Sequence, residues 1–157
     1  MRCSLGQAWS GGVCTGQAKT YSWDEARVAV RKLNRNGGFG GYTDWELPHI
    51  EDLVTIRYCS TGFEYGYTAD IPTKAGGIKT IPQTCKGGTN GTYQRPTIDQ
   101  RIFPNTPNTF VESYWSASPI AADDYSAWSL SFYFGYTFND GNVKRAQQFV
   151  RAVRAAQ

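Results

Sequence analysis

Histidine is almost missing from this sequence, with His49 the only one among 157 residues. The four cysteines, Cys3, Cys14, Cys59 and Cys85, contain no Cys-x-x-Cys pair. A zinc site needs several thiolates or imidazoles at close spacing, so none is expected, and no metal ligand or cofactor is assigned. Long apolar runs are also absent, which argues against a membrane-spanning helix. Met1-Arg2-Cys3 leaves no room for the apolar core of a signal peptide, so an exported protein would appear here as a mature or excised domain. Excess charge is slight: 16 Lys and Arg against 13 Asp and Glu leave +3, too little to argue for nucleic acid. Catalytic constellations are missing as well. An enzyme needs a nucleophile, an acid/base pair or a metal gathered in one place; His49 has no partner evident from spacing, and the adjacent Asp123-Asp124 reads as solvated loop. No catalytic residue is assigned.

What is present points to one α+β domain spanning residues 1–157. A chain of this length buries on the order of 70% of the surface its unfolded form exposes. Aromatic residues make up 15% of it and glycines number 17, whereas helical patterns are few, which favours short strands and long connections. Four cysteines allow three pairings. Cys3 with Cys14 and Cys59 with Cys85 is preferred, because each bond closes a local loop rich in glycine or turns. Disulfides imply an oxidising compartment, the periplasm or the cell exterior.

Along the chain, Trp9-Ser10-Gly11-Gly12 predicts a small hairpin closed by the first disulfide. Ser22 followed by Glu25 is a capping box, and Ala26, Ala29, Val30 and Leu33 recur at helical spacing until Asn36-Gly37-Gly38 ends the run. Pro48, read as a first-turn residue with His49 beside it, opens a second helix with Ile50, Leu53 and Val54 on one face. Residues 60–113 show no sustained period and read as a long loop. Trp128 to Phe134 alternates large and small residues as a half-buried strand does. Gly135 reverses the chain into Tyr136-Thr137-Phe138, Asn139-Asp140-Gly141-Asn142 forms a second turn, and Phe149 to Arg154 is the final strand. Three antiparallel strands are thus expected to close the chain.

Two sets of words in the sequence resemble a known family. Tyr42-Thr43-Asp44-Trp45-Glu46-Leu47-Pro48, leading into Ile50-Glu51-Asp52-Leu53, is similar to the Asp-Trp-Arg-Leu-Pro segment and following helix of the Lcl C-terminal domain family. Tyr114-Trp115-Ser116-Ala117-Ser118-Pro119, Ala127-Trp128, Val150-Arg151-Ala152-Val153-Arg154 and the opening Cys3-Ser4-Leu5-Gly6-Gln7 resemble its other landmarks, in the same order. The resemblance implies a C-type-lectin-like fold related to formylglycine-generating enzymes: two helices packed on short antiparallel sheets, with long loops, in bacterial exported or surface proteins. It further implies an adhesive, non-catalytic role. One such member, a collagen-like adhesin, binds sulfated polysaccharides, and some similar domains are variable proteins of diversity-generating retroelements. Glu46 stands where the family has Arg. The reactive C-terminal cysteines of the enzyme relatives have no counterpart here, nor do the Glu-Pro-Asn and Gln-Pro-Asp motifs of calcium-dependent lectins.

Trp45, Trp115 and Trp128 are expected in the core, and Arg151 and Arg154 as ties to nearby carboxylates or carbonyls. The ligand site is expected on the exposed part of the last sheet. Its candidates are Tyr125, Tyr133, Tyr136, Phe138, Asn139, Asp140, Asn142, Lys144, Arg145 and Gln147, because Tyr brings rigid contact area and Asn adaptable hydrogen bonding. The partner would be an extracellular glycan or a protein. Self-association as a homo-oligomeric tip domain is a third reading.

Overall fold

The structure, a computed structural model, describes residues 1–138 and 143–155. Strands β1 (Ala8–Ser10) and β2 (Val13–Thr15) form the N-terminal hairpin, tied by Cys3–Cys14. After β3 (Thr20–Tyr21) comes helix α1 (Trp23–Arg35), whose capping box is complete: the Glu25 N–H donates to Ser22 Oγ and the Ser22 N–H to the Glu25 carboxylate. The helix stops at Asn36, and the chain turns through Gly38 at φ +72°. A Cβ there would stand 1.7 Å from the Tyr42 carbonyl oxygen, so only glycine fits this loop. Helix α2 (Ile50–Thr55) starts two residues later than expected, past Pro48 and His49. His49 is its N-cap rather than a first-turn residue, its N–H donating to the Asp52 carboxylate at 2.9 Å, while the Pro48 carbonyl is engaged by the Ala117 N–H.

A second correction concerns residues 60–113. Within them β4 (Phe63–Pro72) and β5 (Ile78–Cys85) pair as a long antiparallel hairpin, clamped by Cys59–Cys85. From Tyr65 to Thr68 the strand is exposed on both faces, so no alternation of apolar and polar residues marks it. The two disulfides are the pair that the local loops favoured, and they are compatible with an oxidising environment.

The main sheet has five strands in the order β3-β9-β6-β7-β8, with β6 Tyr114–Ile120, β7 Asp123–Ser131, β8 Tyr136–Phe138 and β9 Gln148–Phe149. It is covered on both sides. Tyr114, Trp128, Leu130, Phe132 and Phe149 pack with Ile50, Leu53 and Val54 of α2 and with Ile71 and Ile81 of the long hairpin. Trp115, Ala127 and Val150 pack on the other face with Trp23, Ala26 and Val30 of α1 and with Trp45. The three tryptophans expected in the core are in it.

This double cover corrects the reading of the last third. β7 begins earlier, at Asp123, and Phe132 to Gly135 form the turn after it. It is buried on both faces: Ser129 and Ser131 are inside, with Ser129 opposite Trp115 in the register. The serines mark a face closed by a helix, not one open to water. Nor do three antiparallel strands end the chain. β9 enters between β3 and β6, antiparallel to the first and parallel to the second, and Val153 then bridges to Glu46. The expected turn Asn139 to Asn142 lies outside the described residues.

Two arginines tie this framework from inside. Arg57 donates to the carbonyls of Gly135 at 2.7 Å and Pro82 at 3.0 Å, and burial lowers its pKa to about 10. Arg151 is buried between the rings of Phe103 and Tyr114 and donates to the carbonyls of Met1 and Arg2 and to the hydroxyls of Ser4 and Thr106. Arg154 makes a two-pronged pair with Asp44, at 3.0 and 3.1 Å. Carbonyl and carboxylate ties are the roles expected of these last two residues.

The Arg154 guanidinium holds the Asp44 carboxyl below the usual carboxylate range. A carboxyl whose pKa is lower folded than unfolded contributes stability that is complete above the unfolded value, near about 4, and is lost as pH falls through the folded value. The Asp44 side is exposed to water, so the contribution is small. Urea unfolding followed across the acid range should show a shallower loss of stability for Asp44→Asn than for the parent; parallel curves would contradict the pairing.

Candidate functional site

Three of the candidate residues meet at one place. The β6–β7 turn brings Ile120 opposite Asp123, whose carboxylate accepts the Tyr125 N–H at 2.8 Å and is held below its usual pKa by the Ser126 side chain and that N–H. Tyr125 therefore projects outward, 80% exposed. The returning chain is stitched alongside it. Ser126 bridges to Val143, and the Lys144 N–H donates to the Tyr125 carbonyl at 2.8 Å. Lys144 Nζ reaches the Asp124 carbonyl at 2.6 Å and lies 4.7 Å from the centre of the Trp23 ring, while the Trp23 N–H donates to the Lys144 carbonyl. Between this stitch and the first turn of α1 is a cleft of about 460 Å³, lined by Ser22, Asp24, Asp124, Tyr125, Lys144 and Arg145. It offers one free aromatic face, an exposed guanidinium, and carboxylates able to accept hydroxyl protons.

The other candidates are elsewhere. Gln147 is beside the outer face of α1, its amide 3.3 Å from the Glu25 carboxylate. Tyr136 and Phe138 lie together on β8 with ring centres 5.0 Å apart, and the Tyr136 hydroxyl is 3.2 Å from that of Tyr67 on β4. Tyr133 belongs to a third group, with Phe110, Phe134 and the Arg95 guanidinium around its ring. Asn139, Asp140 and Asn142 lie outside the described residues.

Sequence reading missed Ser22 and Asp24 as neighbours of Tyr125, because they reach it through the Trp23 N–H bond to the Lys144 carbonyl, between positions far apart in the chain, and it read Asp124 as solvated loop. It also passed over Arg2, Trp9 and Tyr42, which line a separate groove. Trp9 beside Gly11-Gly12 was the one local signal, since a half-exposed indole on a three-residue strand has little core to fill. Among the described residues no three His, Cys, Asp or Glu side chains are gathered as a metal site would require. His49 has its Nδ1 buried, and that burial lowers its pKa against the opposing pull of Asp52 and Glu51.

Comparison with known proteins adds one finding. No curated protein and no solved structure matches the chain significantly. The model of the Lcl C-terminal domain matches residues 1–154, on a chain whose two helices and short sheets are the α+β arrangement expected of a C-type-lectin-like fold. With all but its last three residues matched, this protein belongs to the Lcl C-terminal domain family.

Proposed function

We propose that the domain is a non-catalytic ligand-binding module of a bacterial exported or surface protein, adhesive in role, which holds a glycan such as a sulfated polysaccharide in the cleft beside Tyr125. One observation carries this reading: an aromatic ring 80% exposed, on a backbone pinned by Asp123 and Lys144, lines a cleft that also presents Lys144 and Arg145. A sugar ring stacks on such a face with little loss of side-chain entropy. Its hydroxyls suit the carboxylates of Asp24 and Asp124, and a sulfate suits the forked donors of Arg145. The two disulfides support export. A protein ligand is the second reading, favoured by the row of Tyr67, Tyr136 and Phe138 along β4 and β8.

Calorimetric titration with heparin at low and at physiological salt tests the first reading. Saturable binding that weakens with salt is expected, reduced about tenfold or more by Tyr125→Ala and by Arg145→Gln, with melting temperatures unchanged. Absence of heat at both salt concentrations, or binding indifferent to both substitutions, would discard the cleft and favour the aromatic row.

A further inference from the structure

A second concavity, of about 490 Å³, opens where the N-terminal hairpin, the loop after α1 and the segment before β6 come together. Its walls carry Trp9, Phe39, Tyr42 and Phe103, with Arg2 and Arg154 at the sides, and among the described residues no Lys, Asp or Glu lines it. Trp9 and Tyr42 are 40% and 47% exposed and, lining one concavity with Phe39 and Phe103, they make a contiguous apolar surface rather than scattered single rings. Arg2 stacks over Trp9 at 5.3 Å and Arg154 over Tyr42 at 3.7 Å.

The walls are built in advance. Trp45, behind them, donates its indole N–H to the carbonyls of Phe39 and Tyr42, at 3.1 and 2.9 Å, and the Asn34 amide holds the Trp45 backbone through both its N–H and its C=O. Phe39 meets the Trp45 ring edge-on at 6.2 Å. A partner therefore need not order this loop, and that part of the usual cost of association is absent.

The composition identifies the kind of partner. Trp, Tyr and Arg carry most hot-spot energy in protein interfaces, whose buried centres are enriched in aromatic residues and Arg and depleted of Lys, Glu and Asp. A glycan fits less well, because the phenyl rings of Phe39 and Phe103 offer nothing to a sugar's hydroxyls and burying those unpaired is costly. A long polyanion also fits less well: Arg154 is already paired with Asp44, and among the described residues only Arg2 lines the groove as a cation with no carboxylate partner. We propose that the groove is a docking site for a segment of another protein that presents one bulky apolar side chain flanked by Asp or Glu. The apolar side chain enters between Trp9 and Tyr42, and the neighbouring carboxylate takes the open side of the Arg2 guanidinium. This site is separate from the Tyr125 cleft, with no lining residue in common.

Panning a random dodecapeptide phage library on the intact domain tests it. Enrichment of peptides with Leu, Phe or Trp beside Asp or Glu is expected. Synthetic copies should lose at least about tenfold in affinity on Trp9→Ala and on Arg2→Glu, and nothing on Tyr125→Ala. Arg2 is exposed, so its substitution tests the site even where Trp9→Ala unfolds the hairpin. Failure of an acid-flanked apolar consensus to emerge, or undiminished binding to both groove variants, would overturn the proposal. So would retention of a neutral polysaccharide that depends on Trp9 in place of peptides. Heparin binding governed by Tyr125 stands or falls independently of each of these results.

Discussion

Replacing Arg151 by alanine is expected to lower the stability of the domain by about 3–5 kcal/mol, and its melting temperature by roughly 6–20 °C. The guanidinium is the only donor group that reaches the carbonyls of Met1 and Arg2 and the hydroxyls of Ser4 and Thr106 together among the described residues. These acceptors lie on the opening segment, which Leu5 pairs to Val150, and on the loop before β6. Truncation takes the guanidinium from the Met1 and Arg2 carbonyls, leaves Ser4 and Thr106 only their bonds to Tyr114 and Phe103, and opens a cavity between Phe103 and Tyr114. Arg151→Met separates the two contributions, since its stem keeps the ring contacts while the donors are lost. Its loss should fall between those of the parent and Arg151→Ala in urea titration. A loss below about 1 kcal/mol for the alanine variant would mean that the opening segment is held by its backbone alone.

Removing the Cys59–Cys85 bond by a double substitution to alanine should cost about 3.5 kcal/mol, against about 2.8 kcal/mol for Cys3–Cys14, in the chain-entropy account of cross-linking. The difference follows from separations of 26 and 11 residues. Position reinforces it. Cys85 ends β5 and lies opposite Phe63, so this bond anchors the base of a hairpin whose first strand is exposed from Tyr65 to Thr68. Without it the hairpin depends on Ile71, Ile81 and the hydrogen bonds from Arg57 and Gln83. Equilibrium unfolding of both double variants under non-reducing conditions checks the order; a larger loss from the N-terminal pair would show that the hairpin holds without its clamp.

Legibility in the sequence followed the range of the interactions concerned. Helix α1 could be read because a capping box and a 3.6-residue period lie within one short window, and the disulfides because each joins cysteines that neighbour one another in sequence. β7 was half legible. Its alternation of Trp128, Leu130 and Phe132 with serines is real, but whether a helix or water covers the serine face depends on α1, a hundred residues earlier. The β4–β5 hairpin left no pattern, since a strand wet on both sides has no reason to alternate. The site followed the same rule: Tyr125, Lys144 and Arg145 were recognisable as residue types suited to binding, yet only the bridge from Ser126 to Val143 determines that they share a cleft while Tyr133, Tyr136 and Gln147 do not.

The place of β9 has a consequence for the order of events during synthesis. Two residues near the end of the chain, Gln148 and Phe149, fill a slot between one of the earliest strands and one of the later ones. Until they arrive, Thr20 and Tyr21 have no strand beside them and β6 has a bare edge. The N-terminal hairpin and α1 can form as the chain emerges, but the five-stranded sheet is complete only once β9 has been made. Contacts spanning so much of the chain are slow to close. β9 is therefore the keystone of the sheet, the piece that closes the gap between β3 and β6.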